Sequence, residues 1–106
     1  MDTLRGNLVD LVNTLVKLRL NCTDVVERRK LRQTIKMLRT VLDEVLEEEL
    51  DRNDADYLVA LGELQSAVKT ADSALKEVRR TSEAIEEAVR AVKAVDKIVE
   101  FFSPFL

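Results

Sequence analysis

A four-three repeat of apolar residues fills the middle of this 106-residue chain and constrains its fold. Side chains that recur at alternating steps of four and three residues fall on one stripe of an α-helix. The stripe consists of Tyr57, Leu61, Leu64, Val68, Ala71, Leu75 and Val78. Beside it, Ala60, Ala67 and Ala74 recur every two turns, and such small side chains let a second helix approach closely. One helix cannot bury this stripe alone, so the rest of the chain must supply helices that cover it.

The composition favours helices over strands. The chain is 46% hydrophobic and 35% charged, with only two glycines and one proline. None of the glycine-containing or proline-containing pairs that are typical of tight hairpin turns separates short apolar runs. The length suits one domain. We therefore predict a single all-α domain over residues 1–106.

Apolar repeats and polar breaks divide the chain into four predicted helices, at about residues 3–20, 24–50, 54–80 and 82–102. The first helix has leucines at the same four-three spacing, and the repeat loses its phase in the polar segment 21–24. A second polar segment, 51–54, precedes the third helix. Around Thr81, cations precede a hydroxyl and acids follow it, which is typical of one helix ending and another beginning.

These helices predict an antiparallel up-down four-helix bundle. One alternative stays open, because the apolar repeat continues through Ser82 without a glycine or a proline. In that alternative, the third and fourth helices form one long third helix, and two chains pair as an intertwined dimer.

The sequence lacks the residues on which most catalytic and metal sites depend. It contains no histidine, which is the commonest general base and metal ligand. The acids around residues 47–56 miss the calcium-loop pattern, because Asp56 stands where that loop needs glycine and Gly62 where it needs glutamate. We therefore predict a protein that is not an enzyme, with no cofactor, no metal site and no small-molecule substrate.

Charge and cysteine content indicate the class of partner and the compartment. The net charge of -3 argues against general nucleic-acid binding, which usually needs a basic domain. The single cysteine, Cys22, excludes an internal disulfide and fits a reducing compartment. The sequence shows neither a secretory signal nor an apolar run near the roughly 18 residues of a membrane span. We expect a cytoplasmic protein whose partners are proteins, further copies of itself or membrane surfaces.

The charges on the predicted second helix are sorted by sign. Cations fill its first half and acids its second half, although the helix dipole prefers acids first. A basic ridge, spaced three, four and three residues apart, consists of Arg29, Arg32, Lys36 and Arg39. We expect the apolar stripe of this helix to be committed to the core.

Three explanations for the ridge stay open. The first is a solvated surface without a partner. The second is pairing with the oppositely ordered charges of the fourth helix. The third is binding of an anionic partner such as a membrane surface or an acidic protein. In an up-down bundle the second and fourth helices are parallel but diagonal. We therefore expect any pairing between their charges to act between molecules.

All three phenylalanines lie within the last six residues. A candidate partner-binding tail consists of Phe101, Phe102, Phe105 and Leu106. If this tail is exposed, we expect it to bind a partner or a further segment of a longer chain. In the alternative, the tail packs over the open end of the bundle.

Part of the chain carries a pattern that is similar to a known family. The pattern begins with Asn21-Cys22 and a basic run from Arg28 to Leu31, and continues through Ile35, Leu38, Leu42, a polar loop, Leu58, Leu61, Leu64 and an alanine-rich helix ending near Leu75. It resembles the middle helices of the HeLo-type four-helix adaptor bundles, as in the N-terminal domains of the mixed lineage kinase domain-like pseudokinase, plant armadillo U-box proteins and some plant immune receptors. The resemblance implies an interaction and oligomerisation module. In the cell-death members of that family, basic residues of the bundle engage anionic lipid, which points to the ridge.

We therefore expect a non-enzymatic helical-bundle module for protein interaction or oligomerisation, the N-terminal adaptor of a larger protein. One alternative is a peripheral bundle of the cell-death type that binds anionic membranes. The other is a small self-associating structural protein.

Overall fold

The described part of the chain folds into four α-helices. The computed structural model describes residues 3–45, 50–51 and 53–102, with side chains described as far as residue 99. In chain order the helices are α1 (Leu4–Asn21), α2 (Val25–Glu44), α3 (Ala55–Lys76) and α4 (Thr81–Phe102). A single 3-10 turn, Val78–Arg80, leads into α4. These ranges contain no strand, so the prediction of an all-α four-helix bundle is confirmed.

Side-chain caps determine where the first three helices begin. Thr3, Asp24 and Asp54 are the N-cap residues of α1, α2 and α3. In each case a side-chain oxygen accepts a hydrogen bond from a backbone N–H two or three residues ahead, at 2.8 to 2.9 Å. These bonds satisfy N–H groups that the first turn of a helix leaves without an intrahelical partner.

Contacts between helix ends define the helix directions. They are the hydrogen bonds from the Leu4 N–H to the Tyr57 hydroxyl (3.4 Å) and from the Arg5 guanidinium to the Leu42 carbonyl (3.1 Å), and the ion pair between Lys97 and Asp56 (3.8 Å). The starts of α1 and α3 therefore lie beside the ends of α2 and α4. The directions alternate up, down, up, down, as predicted.

The order of the helices around the bundle differs from a simple up-down ring. α1 packs against α2 and α3, and α4 packs against α3 and α2, so α1/α4 and α2/α3 are the diagonal pairs. Our expectation that α2 and α4 are diagonal is wrong, because they are parallel neighbours. We call the end that holds the α1–α2 turn and the α3–α4 junction the turn end. Leu50, between α2 and α3, packs on the core.

α2 ends earlier than the predicted boundary near Leu50. Its last helical residue is Glu44, and Val45 is extended, with φ -76° and ψ 115°. Acids in a last turn oppose the helix dipole, which disfavours continuation through the acidic segment that follows. The guanidinium of Arg5 also binds the Leu42 carbonyl, one of the acceptors that a helix end leaves open. The side chain of Val45, directly after the last helical residue, is buried in the core.

α3 and α4 are separate helices, so the alternative of one long third helix is wrong. α3 ends at Lys76, and Glu77 is extended, with φ -131° and ψ 100°. The break thus precedes the predicted one near Thr81. Thr81 is itself helical, and its buried hydroxyl donates to the Val78 carbonyl at 2.7 Å instead of capping the residues that follow. Val78, predicted on the apolar stripe, is exposed because it lies beyond this break.

Leucines from α1 and alanines from α3 and α4 form the centre of the core. The predicted leucines of α1 are all buried, namely Leu4, Leu8, Leu11, Leu15 and Leu18. In α3 the alanine row is fully buried, whereas Leu61, Val68 and Leu75 are only partly buried at its edge. α4 contributes the fully buried alanines Ala84, Ala88 and Ala91. Small side chains on both helices permit a close approach, which leaves the larger residues at the margin of the contact.

Candidate anionic-partner face

The predicted basic ridge lies on the outer surface of α2. Arg29, Arg32, Lys36 and Arg39 are all exposed, whereas Leu31, Ile35 and Leu38 on the other side of the helix are buried. Residues three or four positions apart are neighbours on a helix surface. The structure therefore brings the four predicted cations together in one strip.

The cations of the ridge form no ion pair within the described part of the chain. Asp43 lines the same groove as Lys36 and Arg39 but is not ion-paired with them. The ion pairs that are described join Arg79 to Glu77, Arg80 to Glu83, Arg90 to Glu87 and Lys97 to Asp56. A cluster of cations without acidic partners retains its positive field for an external anion.

α1 extends the ridge into a basic groove that sequence reasoning missed. Arg19, in the last turn of α1, lines a groove of about 320 Å³ together with Lys36 and Arg39 of α2. Toward the turn end, a second groove of about 450 Å³ is lined by Arg19, Val25, Arg28, Arg29 and Arg32. Spacing within α2 carries no signal for Arg19, because that residue belongs to another helix. We call the combined surface the basic face: Arg19, Arg28, Arg29, Arg32, Lys36 and Arg39.

Exposed aliphatic side chains border the basic face at the turn end. The exposed fractions are 73% for Leu20, 69% for Val25 and 58% for Val26, all of which flank the α1–α2 turn. Val78 is exposed at the α3–α4 junction of the same end. The apolar stripe of α2 is committed to the core as expected, and Val25 and Val26 in the first turn of the helix lie outside that stripe. Removing such side chains from water is favourable, at roughly 25 cal/mol per Å² of apolar surface.

A second charged cluster lies between α3 and α4. Glu87 accepts a hydrogen bond from the Arg90 guanidinium at 2.8 Å, and its side chain is only 17% exposed. Burial raises the pKa of Glu87, and a hydrogen bond with the Glu63 carboxyl and the charge of that group raise it further, while Arg90 lowers it. Glu87 is ion-paired with Arg90 inside the molecule, so we assign the cluster to the packing of α3 on α4.

The remaining sequence candidates contribute little to this surface. Cys22 is a buried thiol in the α1–α2 turn, with its Sγ 3.7 Å from the Asp24 carbonyl oxygen. Within residues 3–45, 50–51 and 53–102, no group of three or more cysteine, aspartate or glutamate side chains is arranged to hold a metal ion. No helix over the described ranges combines the length and the apolar character needed to cross a bilayer.

The candidate tail lies outside the described side chains. α4 extends to Phe102, but the side chains of Phe101 and Phe102 and the whole of Phe105 and Leu106 fall beyond what the structure describes. Its role in partner binding stays a prediction.

Comparison with known proteins adds no relative. No protein-family model, curated protein or solved structure gave a match to this chain. The resemblance to the HeLo-type bundles therefore stays a prediction as well.

Proposed function

We propose that this protein is a non-enzymatic interaction module that docks its basic face and turn end on an anionic membrane surface. One observation carries the proposal. The exposed side chain of Val25 lines the same groove as arginines that form no ion pair among the described residues, and Leu20 and Val26 are exposed at the same turn. An anionic bilayer offers negatively charged headgroups to the arginines and an apolar interior to the exposed aliphatic side chains.

The energies suit reversible peripheral binding. Each cation near an anionic bilayer contributes about 1 kcal/mol. Full burial of one valine or leucine side chain contributes about 1.5–3 kcal/mol. The sum over the basic face and three aliphatic residues is of the order of the estimated 4–15 kcal/mol that association costs in lost freedom of motion. Binding is therefore expected to depend on both groups of residues and to weaken as salt screens the charges.

An acidic protein is the other partner class that the basic face fits. The aliphatic residues at the turn end favour the membrane, because a contact with an acidic protein surface needs only the cations. Cytoplasmic leaflets carry the anionic lipids, so a cytoplasmic location belongs to this proposal. The expected role as an adaptor or oligomerisation module is compatible with docking, since a docked bundle brings its partners to the surface.

Co-sedimentation with lipid vesicles tests the proposal. The full chain is mixed at low ionic strength with vesicles of phosphatidylcholine alone or with added phosphatidylserine. We expect binding only to the anionic vesicles, loss of that binding in Arg29→Glu/Lys36→Glu, and clear weakening in Val25→Ser/Val26→Ser. The double variant Lys69→Glu/Lys97→Glu makes the same change in net charge on exposed positions of α3 and α4 and should still bind.

Absence of binding to anionic vesicles at low ionic strength contradicts the proposal. In that case, binding of the wild-type chain but not of Arg29→Glu/Lys36→Glu to an acidic polypeptide would assign the basic face to a protein partner. Equal loss of vesicle binding in the Lys69→Glu/Lys97→Glu control would show that net charge, and not this face, is responsible.

A further inference from the structure

The parallel packing of α2 beside α4 brings two oppositely sorted charge patterns onto one side of the bundle. Both helices begin at the turn end. In α2, Lys30 lies near that end and Glu44 is the last residue of the helix. In α4, Glu86 lies near the turn end, and Lys93 follows two turns later. All four side chains are exposed.

The positions of other contacts show which sides of the two helices form this surface. The groove with Arg19 occupies the side of α2 that holds Ile35 and Arg39, so the seven-residue series Lys30, Met37 and Glu44 lies on the other side, toward α4. In α4 the side toward α3 holds Glu87, which meets Glu63. The series Glu86, Val89 and Lys93 lies away from it, toward α2. We call the combined surface the α2–α4 face: Lys30, Met37, Glu44, Glu86, Val89 and Lys93.

The charges of this face are not used inside the described part of the molecule. None of Lys30, Glu44, Glu86 and Lys93 forms an ion pair with any described residue, although α2 and α4 are neighbours. The order of charges along α2 also opposes the helix dipole, so local helix stability does not account for it. Between the charged corners lie Met37, which is 40% exposed, and the partly buried Val89.

The four charged residues of this face alternate in sign around it. A half-turn of a second copy therefore brings opposite charges together. A half-turn about an axis parallel to the helices lays α2 of one copy along α4 of the other. Lys30 and Glu86 are each the sixth residue of their helix, and both helices begin at the turn end. The rotation therefore places Lys30 opposite the Glu86 of the second copy twice, and directs Glu44 toward the half of the opposing α4 that carries Lys93.

We propose that the α2–α4 face binds a second copy of this chain in a two-fold symmetric dimer, with Lys30 against the opposing Glu86 and with Met37 and Val89 at the centre. The basic face lies on the α1 side of α2, so it stays accessible in this dimer. The dimer would then present two basic faces to one surface. Because its charged contacts are exposed, association is weak and falls with ionic strength.

Sedimentation equilibrium of the full chain over a range of concentrations and salt tests this proposal. We expect a concentration-dependent dimer at low ionic strength, with a dissociation constant raised about tenfold or more in Lys30→Glu, since like charges then face each other. The swap Lys30→Glu/Glu86→Lys should restore the wild-type value. Arg32→Glu makes the same charge change on the basic face and should leave the dimer intact. Circular dichroism confirms that each variant remains helical.

A wild-type chain that remains monomeric at low ionic strength up to the highest attainable concentration overturns the proposal. It is also overturned if the charge swap does not restore association, or if Arg32→Glu weakens the dimer as much as Lys30→Glu does. Vesicle binding is read separately, so failure of the dimer and failure of membrane docking are distinguishable.

Discussion

The phenolic oxygen of Tyr57 accepts a hydrogen bond from the backbone N–H of Leu4 at 3.4 Å, across 53 positions of sequence. Leu4 is the first residue of α1, so its N–H has no intrahelical acceptor. Both residues are buried, which excludes water as an easy substitute. This bond therefore joins the beginnings of α1 and α3 and satisfies a donor that helix formation leaves open.

Replacing Tyr57 with phenylalanine should lower the free energy of unfolding by about 1 kcal/mol, because the ring still packs but the buried N–H of Leu4 loses its acceptor. Urea denaturation monitored by circular dichroism measures the change. Thr70→Val is the control, since it removes a hydroxyl whose bond goes to the carbonyl of its own helix. An unchanged denaturation midpoint in Tyr57→Phe would show that the bond contributes nothing to stability.

Replacing Glu63 with glutamine should stabilise the protein at pH 7 and lose that advantage in acid. Burial, and then Glu63, raise the pKa of Glu87 above its ordinary value of 4.5. An acid whose pKa is raised by folding contributes stability that is fully present below the unfolded value and lost as pH rises through the folded value. At pH 7 the ionised form of Glu87 therefore lowers the free energy of unfolding. Removing the charge of Glu63 should raise that free energy by about 0.5 kcal/mol, on the scale of like-charge pairs on helices.

Urea denaturation of wild type and Glu63→Gln at pH 7 and near pH 4 tests the direction of this pH dependence. The difference in stability should be positive at pH 7 and should shrink at the lower pH, where Glu87 is increasingly protonated. Asp72→Asn, a neutralised acid at an exposed position of the same helix, should show no such narrowing. A gap that widens toward acid would contradict the assignment.

The two glycines should respond differently to alanine. Gly62 lies within α3 at an exposed position with no atom within 4 Å of an added Cβ, so Gly62→Ala should raise stability by about 0.8–1 kcal/mol through helix propensity alone. A Cβ on Gly6 would lie 3.0 Å from the Thr3 Oγ1 that caps α1. Gly6→Ala should therefore gain less than Gly62→Ala. Thermal denaturation compares the two variants, and an equal gain would show that the cap yields without cost.

Enlarging the alanine row should separate α3 from its neighbours. Ala67 is fully buried, so Ala67→Leu should cost about 1–3 kcal/mol by overpacking. Ser66→Leu places the same side chain on the exposed side of the helix and should change stability by less than about 0.5 kcal/mol. Urea denaturation measures both. If Ala67→Leu were as stable as wild type, the close approach of helices at this row would be refuted.

Local features of the sequence were sufficient for the helices and most of their beginnings. The caps Thr3, Asp24 and Asp54 lie at the predicted helix beginnings near residues 3, 24 and 54, because a side chain reaches a backbone N–H only two or three residues away. The basic ridge was also predictable, since Arg29 and Arg32 share a side of one helix by spacing alone. Helix ends were harder: α2 ends at Glu44 because of Arg5 and the buried Val45, neither of which is visible from the acidic segment itself.

The periodicity of the sequence by itself determined which side of each helix is buried, and therefore that the chain forms an all-α bundle. Only the tertiary structure decided which helices are neighbours, because a repeat of apolar residues specifies a buried side but not the helix that covers it. That choice places Arg19 beside Arg32 and puts α2 next to α4. It also leaves Val25 exposed, since the turn end gives this residue no neighbouring helix to pack against.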